Sequence, residues 1–100
     1  MTLNEFKATL QQTTPPSTLT PLLKAMWHEG KGDWEAAHNI AQEINTSEGS
    51  WIHAYLHRVE GDLGNASYWY HRAGKPVFTG DLKHEWNSIV EALLQNNSKN

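Results

Sequence analysis

Six histidines in a 100-residue chain without cysteine are the residues best suited to chemistry. His53 and His57 stand four apart, and Glu60 follows three later. On a helix that spacing places two imidazoles and a carboxylate along one flank, a turn apart. Such a group could hold a divalent metal, and the lack of thiols restricts any metal site to nitrogen and oxygen ligands. His53, His57 and Glu60 are therefore the candidates for a small metal-dependent or acid–base enzyme. The carboxylate lies outside the histidine pair, unlike the His-Glu-x-x-His order of metalloproteases. The structural alternative is that His28 and His57 pack within the fold and bond to nearby backbone or carboxylate groups. A pH-sensitive contact is a third reading.

Residues 68–72, Tyr-Trp-Tyr-His-Arg, gather aromatic and basic groups. Tyr68 and Arg72 are spaced for a cation–π pair. Trp69 is expected to pack against the last helix, the alternative being a stacking surface for a planar ligand or partner. No nucleophile elbow, phosphate-binding loop or dinucleotide fingerprint is present. Glu29, Glu35, Glu43 and Glu85 read as solvated helix faces. No catalytic residue and no cofactor are assigned on this reading.

The elements that must position these groups are helices. Thr2-x-x-Glu5 is a capping box that opens a helix over 2–12. The turn-rich run 13–20 is a linker, because its prolines bar a continuous helix. Thr20-Pro21 caps and starts the first of two hairpins, at 21–45 and 47–74. Gly32 and Gly61 stop helices, while Asp33 and Asp62 cap the next ones. A C-terminal helix over 81–95 carries Leu82, Trp86, Ile89, Val90 and Leu93 on one stripe. The tail 96–100 is expected to fray. Val77-Phe78-Thr79 is too short to build a sheet. These elements give an all-α chain of five to six helices.

Composition narrows the function classes. Leu, Ile, Val and Phe total only 19, but five Trp, three Tyr and a net charge of −3 still favour a folded single domain. Slight acidity with two arginines argues against a nucleic-acid surface. No apolar run approaches the ~18 residues of a membrane span, and the N-terminus is too polar for a signal peptide, so a cytoplasmic protein is expected.

An internal repeat appears when residues 24–44 are set on 53–73. Ala25, His28, Gly32, Asp33 and Ala37 fall on Ala54, His57, Gly61, Asp62 and Ala66. The stripe Leu23, Met26, Trp27, Gly30 falls on Ile52, Tyr55, Leu56, Val59, at helical spacing in both copies. Each copy reads as a helical hairpin in which small Ala residues allow close approach.

The runs HEGKGDWEAA (28–37) and HRVEGDLGNASYWYHRAGKP (57–76) resemble tetratricopeptide-type helix pairs. Ala54, Gly61, Asp62, Ala66, Tyr70, Ala73 and Pro76 fit that pattern in order. His28 and His57 stand where an aromatic is usual, Ala41 and Ile44 replace the later aromatic and Ala, and the period is 29 rather than about 34. The run WIHAYLHRVEGDLGNASYWYHRAGKP is also similar to a small bacterial family with no assigned activity. The tetratricopeptide resemblance implies two antiparallel helix pairs, with the first and last helices as caps. It further implies a non-catalytic module that binds a protein or peptide on a concave face lined by Leu22, Met26, Glu29, Trp51, Tyr55 and Arg58. That set departs from the family's carboxylate clamp and suits an apolar or aromatic segment with one acidic anchor. Nucleic acid and membrane are not expected as partners. Closure of apolar surface in a homodimer is the remaining alternative.

Overall fold

The computed structural model describes residues 1–97, and the described residues are all-α, with six helices and no strand. α1 (Leu3–Ala8) opens on the Thr2/Glu5 capping box and tightens into a 3₁₀ turn at Thr9–Gln11. α2 (Pro21–Gly30) starts at the Thr20 cap with Pro21 in its first turn. α3 (Trp34–Ala41) ends short of the 45 expected for the first hairpin, and Gln42 and Glu43 form a turn. α4 (Ser47–Val59) is capped by Thr46. α5 (Leu63–Ala73) closes on Gly74, whose φ of 71° only glycine adopts without strain. α6 (Leu82–Asn97) is longer than expected, so Asn96 and Asn97 are helical; the rest of the tail expected to fray, 98–100, lies outside the described residues.

The repeat is visible in the backbone. Gly32 and Gly61 both have φ of 85°, and nothing crowds either position. Asp33 and Asp62 each donate their N–H 2.9 Å to a histidine carbonyl, His28 and His57 respectively. Each aspartate side chain then caps the following helix. The same Gly-Asp pair therefore makes the same corner twice.

α2 pairs with α3, and α4 with α5; α3 and α2 lie against α4, and α6 crosses α1, α2 and α4. Phe6, Leu23, Met26, Trp27, Ile52, Leu56, Trp86 and Ile89 form the centre of the core. A smaller cluster of Ala54, Ala66 and Tyr70 seals α4 to α5. Four indole N–H groups tie elements together, to the carbonyls of Thr9, Leu56 and Met26 and to the Glu85 carboxylate. Buried Trp needs such partners, and here they lie on other elements. No helix among the described residues is long and apolar enough to cross a membrane.

Candidate functional site

α4 carries polar groups on two nearly opposite flanks, because residues two apart on a helix are separated by about 200°. Trp51, Tyr55 and Arg58 face α2 and α6; His53, His57 and Glu60 face α3 and α5.

On the first flank the centre is Glu85 of α6, which is 0% exposed. One carboxylate oxygen accepts from Arg58 at 2.7 Å. The other accepts from Trp51 Nε1 at 3.1 Å and from the Tyr70 hydroxyl at 2.5 Å. Arg58 also donates to the Gly80 carbonyl and lies over the Phe78 ring. Burial and the adjacent Glu85 carboxylate push the Tyr70 hydroxyl well above its usual range. Glu85 is thus not a solvated face residue. It lies on the apolar stripe, three after Leu82 and four before Ile89, and that register was the available signal.

The six residues expected to line a concave face are distributed around this contact. Met26 and Tyr55 are in the core, and Leu22 packs against it. Trp51 and Arg58 are bonded to Glu85. Glu29 is half-buried; burial raises its carboxyl above the ordinary range, and a hydrogen bond from Tyr55 works the other way. α6 therefore covers much of this face. What remains open is a pocket of about 510 Å³, lined by Lys7, Leu10, Glu29, Gly30, Tyr55, Val59, Leu82, Lys83, Trp86 and Asn87.

On the second flank three imidazoles converge. His38 Nε2 lies 3.0 Å from His53 Nε2. His53 and His57 stack at 4.9 Å and 20°, as their one-turn separation dictates, while His38 meets both rings edge-on. Glu60 bonds His57 Nδ1 at 2.5 Å. One ring nitrogen from each of the three histidines lies within 4.8 Å of the other two. His53 is 6% exposed, and burial, then its two neighbouring imidazoles, then Arg72 hold its pKa down at about 4. Burial also lowers His38, with His57 adding to the effect and Glu60 opposing it.

Two indoles wall the cluster. Trp34 stacks on His38 at 4.7 Å, and its own N–H is fixed on the Leu56 carbonyl. Trp69 stacks on His53 at 3.8 Å and 12°, so its main contact is the imidazole and not the last helix. Tyr68 and Arg72 form the expected cation–π pair at 5.9 Å, and Arg72 also lies over Trp69.

The structure thus brings His53 and His57 together but places Glu60 on His57 Nδ1 alone, outside the contact between His38 and His53. The third member is His38, which the sequence reading missed, and His28 is not part of the group. The one available hint was the Trp34–His38 spacing of four on α3. Which histidine meets α4 depends on how α3 lies against it, and no local pattern encodes that. Comparison with family models, curated proteins and solved structures finds no match.

Proposed function

We propose that this chain is a non-catalytic binding module for a peptide segment that presents an apolar or aromatic side chain next to an acidic group. The observation that supports it is the pocket between α1, α2, α4 and α6. Its volume of about 510 Å³ is in the range of sites that take a small molecule or one large side chain. Leu10, Val59, Leu82 and Trp86 supply apolar wall. Lys7 and Lys83 line it as well, and among the described residues neither takes part in an ion pair. The acidic anchor expected opposite Arg58 falls to these lysines, since Arg58 is held by Glu85. A rim cation beside an apolar pocket favours a partner with the complementary charge.

The test is selection from a random peptide library on the full chain, followed by the Lys7→Glu/Lys83→Glu double variant. The expected result is enrichment of an aromatic or large aliphatic residue flanked by Asp, Glu or a C-terminal carboxylate. Affinity should fall at least about tenfold in the double variant while circular dichroism is unchanged. Peptides without an acidic group, or peptides indifferent to the charge reversal, would overturn the reading.

A further inference from the structure

The histidine cluster lies on the other side of α4 from that pocket, and it gathers one ring nitrogen from each of three imidazoles within 4.8 Å. Three neutral imidazoles hold three N–H groups and three lone pairs. Glu60 accepts a hydrogen bond from His57 Nδ1–H at 2.5 Å, so in the neutral ring the lone pair falls on Nε2. His38 and His53 turn their Nε2 atoms towards each other at 3.0 Å, so without an ion one of them must carry a proton. An ion between them accepts lone pairs from both, and each Nδ1 then keeps its hydrogen.

The spacing suits a first-row ion. Bonds of about 2.0–2.1 Å to imidazole in tetrahedral geometry place nitrogens roughly 3.3 Å apart. The His38–His53 pair is already at 3.0 Å, and the widest gap within the trio is under 4.8 Å. Closing such a gap calls for rotation of the imidazole rings. Trp34 and Trp69 limit those rotations by stacking on His38 and His53, and they supply the apolar shell that usually surrounds a metal centre. One charge opposes the ion, that of Arg72, which acts on His53. Its guanidinium is held outward by Tyr68 and Asn45, and the Glu60 carboxylate behind His57 offsets it. Asp62 adds no ligand, because its carboxylate caps α5 through Asn65.

We propose that His38, His53 and His57 form a binding site for one divalent first-row transition ion, with Glu60 as the positioning residue for His57. All-imidazole ligation selects Zn²⁺, Cu²⁺ or Ni²⁺ over Mg²⁺ or Ca²⁺, which prefer oxygen. Three protein ligands leave a coordination position to water. The ion also ties α3 to α4, and thereby one hairpin to the next.

The experiment titrates Zn²⁺, then Ni²⁺, into the full chain free of any affinity tag, by calorimetry and by histidine-selective ¹H–¹⁵N spectra. The expected result is one ion per chain with Kd on the order of 1 μM. Nε2 of His38, His53 and His57 should shift, while His28, His71 and His84 stay still. His38→Gln and His57→Gln, both at half-buried positions, should each weaken binding at least tenfold; Glu60→Gln should weaken it about tenfold, with the His57 resonance moving most. Wild-type spectra carry the test if His53→Gln fails to fold. No uptake at 100 μM ion, shifts confined to His28, His71 or His84, or unchanged affinity in both His38→Gln and His57→Gln would each overturn the proposal.

Discussion

The two flanks of α4 treat polar groups in opposite ways. Around Glu85 every partner is supplied by the fold: a guanidinium, an indole N–H and a phenol converge on one carboxylate. Opposite them, three imidazoles from α3 and α4 turn nitrogens towards a common centre, and only His57 has a carboxylate behind it. A closed set of charges has nothing left to offer a ligand, whereas a cluster of one kind of donor atom does. Burial alone does not separate the two, since Glu85 and His53 are both buried. Complementarity does.

The largest effect should come from breaking the closed set. Glu85→Ala leaves the half-buried Arg58 without its carboxylate and leaves Tyr70 and Trp51 without that acceptor. Loss of one partner of a buried ion pair costs about 3–5 kcal/mol. Urea unfolding should report a loss of that size, and Arg58→Met/Glu85→Leu should cost less than the sum of its single changes. A cost under about 1 kcal/mol for Glu85→Ala would mean that water replaces the carboxylate, and the contrast between the flanks would fail.

The seam between the flanks comes next. Ala66 is 1% exposed and packs with Ala54 and Tyr70, whose hydroxyl reaches Glu85. Ala66→Trp overpacks this contact and should cost about 3 kcal/mol. Ala36→Trp, at the partly exposed position before Ala37, should cost less than about 1 kcal/mol by the same urea unfolding measurement. Equal costs would show that α4 and α5 part easily, and the two flanks could then not be held in fixed register.

Legibility in the sequence followed the range of the forces involved. Helices, caps and the Gly-Asp corners depend on residues within a few positions of one another, so Thr2/Glu5, Asp33 and Asp62 announced themselves. The α3 end was harder to place, because nothing in Gln42, Glu43 and Ile44 forbids another turn. The burial of Glu85 is legible in its place on the α6 stripe, but its partners, like those of His38, depend on how helices cross, which no spacing along the chain encodes. The pair His53/His57 could be read, being local; its third member came from another hairpin. Trp69 stacks on His53 rather than on α6 for the same reason.

His53 supplies a smaller, pH-dependent effect in the metal-free chain. Its folded pKa is about 4, against roughly 6.5 when unfolded. Between those values the unfolded chain binds more protons, so stability falls as pH drops from about 6.5 towards 4. The contribution should be about 2 kcal/mol across that window, below the full shift because solvent reaches part of the cluster. His53→Phe should flatten this part of the pH–stability curve. An unchanged acid slope would place the burden on other groups and remove His53 from the list of residues the fold keeps neutral.

The smallest effect tests whether the cluster senses charge at its edge. Arg72 is exposed, donates to the Tyr68 hydroxyl at 3.3 Å and lies 5.1 Å over the Trp69 ring, whose stacking partner is His53. Exposed contacts of this kind contribute little, so Arg72→Gln should change unfolding stability by less than about 0.5 kcal/mol. The same change removes a positive charge that holds the His53 pKa down, so that pKa should rise. Residue-resolved histidine titration by NMR separates these outcomes. A rise at His53 with His84 unchanged would mean that the field reaches the ring past Trp69. No movement would mean that solvent screens Arg72 completely, leaving burial and the two neighbouring imidazoles to keep His53 neutral.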